Sequence, residues 1–141
     1  MIRDMHSQDT EAILDIWLRA SIQAHGFISE NFWRSQQDAM RNIYLPSAKS
    51  RVFESEGQVC GFYSLNQNAL AALFVEPEHQ GAGIGTQLLA DAKIRRSTLE
   101  LAVYSANVPA RRFYARHGFV VLRDRPDEHT AHLETLMFWR A

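Results

Sequence analysis

The chain has 141 residues, 46% of them hydrophobic and 22% charged, with a formal net charge of −1. That balance is typical of a globular protein and gives no electrostatic basis for binding nucleic acid or a membrane surface. No apolar run approaches the roughly 18 residues of a membrane-spanning helix, and the single cysteine, Cys60, rules out an intrachain disulfide framework.

The length predicts one domain over residues 1–141, large enough to bury about two-thirds of its unfolded surface. Met1-Ile-Arg-Asp leads directly into structured sequence with no signal-peptide pattern, so the cytoplasm is the expected location. Residues 2–5 read as a first strand. Ser7 is placed to cap a helix with Asp9 and Glu11 in its first turn, and Ile13, Leu14, Trp17, Leu18, Ala20 and Ile22 form its broad apolar face. Ala24-His25-Gly26-Phe27-Ile28 breaks that pattern. A second helix is predicted from about residue 29 to 44, stopping before Pro46. Residues 51–54 and 58–65 read as a hairpin turned at Glu56-Gly57, and Gln67-Asn68 makes a further turn into a strand over residues 70–75.

Residues 70–92, LAALFVEPEHQGAGIGTQLLADA, read as strand, glycine-rich turn and helix. Pro77 stops the strand, Gly81, Gly83 and Gly85 follow within a few residues, and Ile84, Leu88, Leu89 and Ala92 recur at helical spacing. The first N–H groups of such a helix have no internal partner and carry the positive end of the helix dipole, which makes an anion site suited to a pyrophosphate. The dinucleotide fingerprint fails, because Leu88 stands where its third glycine belongs, and the phosphate-loop form fails for want of its lysine. The predicted helix runs to about residue 96, and residues 98–104 form the next strand. Asn107 caps a further helix with Pro109 in its first turn, and Gly118 ends it. Closing strands are predicted at residues 119–123 and 133–139.

The run Gln80-Gly81-Ala82-Gly83-Ile84-Gly85 resembles the Gln/Arg-x-x-Gly-x-Gly/Ala signature of the Gcn5-related N-acetyltransferases, and Asn107…Tyr114…Gly118-Phe119 carries the second half of the resemblance. It spans essentially the whole chain. It implies an α/β (α+β) fold with a mixed, mostly antiparallel sheet of about seven strands and about four helices. It also implies acetyl-coenzyme A (acetyl-CoA) as cosubstrate, gripped by the turn from Gln80 to Gly85 with Thr86, and direct acetyl transfer to a primary amine. The acceptor is left open between a protein lysine, a peptide N-terminus and a small-molecule amine, and the protein between monomer and homodimer. Neither nucleic acid nor a membrane is an expected partner. The other reading is a catalytically idle CoA-binding sensor or interaction module on the same fold.

By the same resemblance, the fourth strand is bulged and parts from the fifth, so that backbone groups of Leu73, Phe74 and Val75 face the thioester. Tyr114 falls seven residues after Asn107, where the family commonly places a tyrosine near the leaving sulfur. A phenol of ordinary pKa, about 10, is protonated at neutral pH and can supply a proton. On helical pattern alone Tyr114 also fits a core position, and Asn107 is both a helix cap and a family-like cofactor contact. The glutamate some relatives carry on the fifth strand is replaced by Ala102 in Leu101-Ala102-Val103. Glu100 lies on the same strand face about 7 Å away, and His25, in a His-x-Phe-Ile run found in some bacterial members, is a second candidate base with a packing role as its alternative. Trp17, Phe27, Phe32 and Trp33 are candidate acceptor-pocket residues, and Asp124, Asp127 and Glu128 candidate partners for a cationic amine. No metal is expected, because the six histidines are scattered, and Cys60 reads as a small core residue.

Overall fold

The extended runs form one mixed sheet in the computed structural model, which describes residues 1–141. Its strands are β1 (Ile2–Asp4), β2 (Lys49–Ser55), β3 (Gln58–Asn66), β4 (Ala69–Val75), β5 (Thr98–Tyr104), β6 (Val120–Pro126) and β7 (Leu133–Arg140), in the spatial order β1-β2-β3-β4-β5-β7-β6. All neighbours are antiparallel except β4 and β5. The β2–β3 turn works because Glu56 and Gly57 both take positive φ, 52° and 78°, matching the twist of a tight hairpin.

Strand alternation sends successive side chains to opposite faces, and helices cover both. On one face α1 (Thr10–Ala24) lays Ile13, Leu14, Trp17 and Leu18 against Val52 and Phe62. On the other, α5 (Ile84–Arg95) and α6 (Val108–Arg116) bury Leu88, Leu89, Ala92 and Tyr114 against Tyr63, Leu65, Leu99, Leu101 and Met137. Phe62 and Tyr63, adjacent in β3, thus belong to different cores. Tyr63 does not end in a void: its hydroxyl donates to Asp91, which Arg51 also meets at 2.8 Å.

The second helix is less regular than its sequence predicts. α2 (Glu30–Ser35), capped by Ser29, gives way to α3 (Gln37–Ala39), a π-helical turn over Met40–Tyr44 and α4 (Leu45–Ser47). Pro46 does not stop the run. Its ring would clash with the carbonyl four residues back, and the wider turn just before it accommodates the proline inside the helical path. β2, β6 and β7 are each longer than predicted, and Asp124 lies within β6 rather than in the loop that follows.

The most consequential irregularity is in β4. Ser64 pairs with Ala72, but Leu65 pairs with Leu70, so Ala71 is an extra residue with no partner. This bulge places Leu70, Leu73 and Val75 on the α5–α6 side and turns Ala72 and Phe74 to the α1 side.

Leu88 is fully buried at the junction of α5 with the sheet. Leu88→Ala is expected to destabilise the protein by about 2–5 kcal/mol through lost burial and a residual cavity. Urea unfolding that moves by less than 1 kcal/mol would show that the α5–sheet junction can collapse around the loss.

Candidate active site

β4 and β5 pair at one position only, Ala69 with Glu100, helped by the Glu100 N–H donating to the Asn68 carbonyl at 3.0 Å. Beyond that point they part. The opening is a cleft of about 810 Å³ walled by residues 70–75 of β4 and 101–104 of β5, with the start of α5 at one side and α6 at the other.

Hydrogen-bond parity along β4 fixes which backbone groups face this opening. The Glu76 N–H donates to the Cys60 carbonyl at 2.7 Å, so the alternation of an antiparallel ladder turns Phe74 toward β3 as well. Leu73 and Val75 therefore direct their N–H and C=O groups into the cleft. The Val75 carbonyl bears this out by accepting from the Gln80 side chain at 3.2 Å. Phe74 meets the cleft with its side chain, stacked on Phe62.

At the mouth, Gly81 and Gly83 hold φ of 86° and 83°, conformations that L side chains rarely adopt. No atom lies within 4 Å of the position a Cβ would take at either residue, so the turn is open on its outer side. Gly83 is the N-cap of α5, no side chain caps the helix, and no acidic residue lies in its first turn. The first intrahelical bond runs from the Gln87 N–H to the Gly83 carbonyl, which leaves the N–H groups of Ile84, Gly85 and Thr86 free for an anion.

Across the cleft, His25 is the C-cap of α1 and is 7% exposed. Its Nδ1 lies 2.9 Å from the Ser21 carbonyl and its Nε2 3.3 Å from Nδ2 of Asn107. A carbonyl only accepts, so Nδ1 carries the proton and Nε2 accepts from the Asn107 amide. Asn107 in turn accepts from the Ala110 N–H at 3.3 Å, capping α6. Trp33 stacks on the imidazole, with Phe27 and Tyr104 edge-on. Burial lowers the His25 pKa, against a smaller opposing effect of the Ser21 hydrogen bond. Tyr114, one helical face further on, is 7% exposed and lines the cleft, and burial pushes its phenol pKa up.

A family profile described as "Acetyltransferase (GNAT) domain" matches residues 46–121. The peptidyl-lysine N-acetyltransferase YiaC of Escherichia coli strain K12 is 35% identical over 140 residues, covering 99% of this chain and 96% of YiaC. The chain belongs to the GNAT acetyltransferase family. The solution structure of apo YjaB from E. coli superposes with a TM-score of 0.86 at 27% identity, covering 99% of this chain and 96% of that one. The PaiA N-acetyltransferase of Thermoplasma acidophilum, solved with coenzyme A, shares the fold at a TM-score of 0.84 and 19% identity, covering 100% and 98% of the two chains.

Within this GNAT frame, the cleft gathers His25, Leu73, Phe74, Val75, Gln80, Gly81, Gly83, Ile84, Gly85, Thr86, Asn107 and Tyr114. Two residues singled out in the sequence stand apart from it. Ala82 does not line the cleft, and Glu100 is exposed at the closed end of the β4–β5 pair, on the far side of Ala102. The loop acids also divide. Asp127 accepts from Tyr104, Thr130 and the His129 N–H, and Asp124 from Thr135. Glu128 has only a 3.6 Å contact with the neighbouring His129 imidazole and stands at the edge of a second hollow of about 410 Å³ lined by Trp17, Phe32, Trp33, Phe74 and Tyr104. Phe27 is not in that lining and packs instead on His25, Tyr104 and His132. The His25–Asn107 contact joins residues 82 positions apart, and no sequence spacing signals it.

The lowered His25 pKa has a stability consequence. The unfolded chain protonates this ring at about pH 6.5, whereas the folded chain holds it neutral to lower pH. Stability is therefore intact above that pH and falls as pH drops through it. The pKa of His117 is lowered as well, chiefly by burial, so the effect is read as a difference. Wild type should lose more urea stability than His25→Gln between pH 7 and 5.5, and parallel losses would mean that His25 takes up its proton without strain in the fold.

Proposed function

We propose that this GNAT protein moves the acetyl group of acetyl-CoA directly to a lysine side chain of a peptide or protein, in the cytoplasm. The observation that carries the reading is the cleft itself, where parted strands, an uncapped helix N-terminus and a buried tyrosine face one volume. The lysine acceptor is favoured by YiaC, a peptidyl-lysine N-acetyltransferase similar over nearly its whole length.

In this reading the N–H groups from Gly83 to Thr86 hold the pyrophosphate, and the pantetheine arm lies along β4 like an added strand. Leu73 and Val75 each turn an N–H into the cleft, and the one beside the thioester carbonyl supplies a preorganised contribution of about 3–4 kcal/mol when charge develops on oxygen. The amine lone pair attacks the carbonyl carbon, the C–S bond breaks, and the sulfur takes the Tyr114 proton. Because burial disfavours the phenolate, the tyrosine must recover a proton quickly, and the proton shed by the new amide nitrogen supplies it through water.

No carboxylate is free in the cleft to act as general base. Glu100 lies outside it, and the lone pair of His25 Nε2 is already bonded to Asn107. His25 is accordingly assigned to hold Asn107 and the start of α6 in place, and the ammonium of the acceptor loses its proton to solvent. The rate on subsaturating peptide should then rise about tenfold per pH unit from 7 to 9, toward the lysine pKa of about 10.4. A plateau above pH 7 that vanishes in His25→Gln would instead make His25 the base.

Free-thiol release from acetyl-CoA with lysine peptides tests the activity directly, and no release above the rate without peptide would overturn the lysine reading. Gly83→Asp places a Cβ and a negative charge at the pyrophosphate site, and calorimetry should register at least a tenfold loss of acetyl-CoA affinity. Tyr114→Phe keeps the ring and its packing on Phe113 and Phe119. Its turnover should fall by roughly 10²-fold or more with little change in KM for acetyl-CoA, and wild-type turnover in the folded variant would leave Tyr114 a packing residue.

A further inference from the structure

Where β3 and the end of β4 meet the turn that leads into the glycine loop, at the edge of the cleft that His79 helps to line, three side chains of different chemistry converge. They are Cys60 of β3, Glu76 at the end of β4, and His79 in the 3-10 turn Pro77–His79. The Cys60 Sγ, a Glu76 carboxylate oxygen and the His79 Nδ1 all lie within 4.8 Å of one another. We propose that they form a binding site for a thiophilic divalent cation of the zinc class.

The donor set and its spacing both fit. Zinc takes thiolate sulfur at about 2.3 Å and imidazole nitrogen or carboxylate oxygen at about 2.0–2.2 Å, so donors around a tetrahedral ion stand about 3.3–3.8 Å apart. Side-chain rotations of about 1 Å bring this cluster to that geometry. One thiolate and one carboxylate neutralise the ion, a neutral imidazole completes the set, and the fourth position is left to water.

The surroundings hold the donors in a converging arrangement. The Glu76 N–H is bonded to the Cys60 carbonyl, which ties the two backbones together, and the His79 N–H to the Glu76 carbonyl at 2.8 Å, which folds the turn back over them. Arg19 takes one carboxylate oxygen of Glu76 at 2.8 Å, leaving the other 2.9 Å from the imidazole. An outer partner of this kind orients a metal ligand. The His79 Nδ1 is out of solvent and forms no aligned hydrogen bond despite that proximity. The Cys60 thiol, 1% exposed, donates to the Gln58 carbonyl at 3.5 Å, a single bond that a thiolate bound to metal gives up. The His79 Nδ1 thus lacks a satisfactory partner within the chain. Glu76 and His79 are partly exposed, which gives an ion a route in. None of this is visible in the spacing of the histidines, because each ligand comes from a different element.

Titration of the reduced protein with Zn²⁺ against a chromophoric chelator tests the site, and Co²⁺ reports on the ligands. The protein should bind one equivalent of Zn²⁺, and Cys60→Ser and His79→Gln should each weaken it at least tenfold. The cobalt complex should show a thiolate-to-metal charge-transfer band that Cys60→Ser abolishes. His79 is partly exposed, so His79→Gln is expected to fold even if a change at Cys60 disturbs the core, and circular dichroism checks both. Zinc binding by the wild type no tighter than by a protein carrying both Cys60→Ser and His79→Gln, or a cobalt complex with no thiolate band, would overturn the proposal. Neither measurement involves acetyl-CoA or an amine, so the outcome does not depend on the acetyl-transfer reading.

Discussion

The parting of β4 from β5 is the constraint on which the site depends. Adjacent parallel strands ordinarily stay paired, because each buried backbone group left without a partner costs about 1–3 kcal/mol. Here pairing ends after Ala69 and Glu100. Two features keep the strands apart without unravelling the sheet. Ala71 bulges from β4 and bends it, while β5 remains in full register with β7 from Thr98 to Tyr104. The bulged strand is thus held by β3 along one edge, and the unpaired groups of its other edge face an open cleft where solvent or a ligand can satisfy them.

Much of this was legible in the sequence, for reasons particular to each element. The Gly81–Gly85 turn announces itself because positive φ at Gly81 and Gly83 leaves few other residues eligible. The α6 boundaries follow from Asn107, Pro109 and Gly118, each performing a local task. A bulge in β4 was expected only through family resemblance, and its place at Ala71 was not foreseen, since an alanine in an apolar run carries no local mark of it. The segment after α2 was misread because hydrophobic spacing is nearly the same for an α-turn and a π-turn, and the proline rule took Pro46 for a stop.

The site residues divide in the same way. The glycine turn is encoded locally, whereas backbone groups of β4 were expected only through the family resemblance, and of the three residues it named Phe74 turns its backbone to β3 instead. Glu100 was kept as a candidate because strand alternation gives the face of a residue but not its distance along an opening cleft. The His25–Asn107 pair and the Cys60–Glu76–His79 cluster are products of tertiary assembly. Arg19 shows how assembly binds such parts together: from α1 it reaches Asp15, Glu76 and Glu78, tying the first helix to the segment that leads into the glycine turn.

The parity of β4 also determines what mutagenesis can detect. The groups that Leu73 and Val75 turn into the cleft belong to the main chain, and every residue but proline supplies the same N–H. Their side chains point into the α5–α6 core. An alanine scan through this strand would register packing losses at both positions while leaving the donors in place, so a map of side-chain importance would leave the centre of the cleft blank. Backbone ester substitution, which removes one N–H and spares the side chain, is the kind of change to which this part of the protein is sensitive.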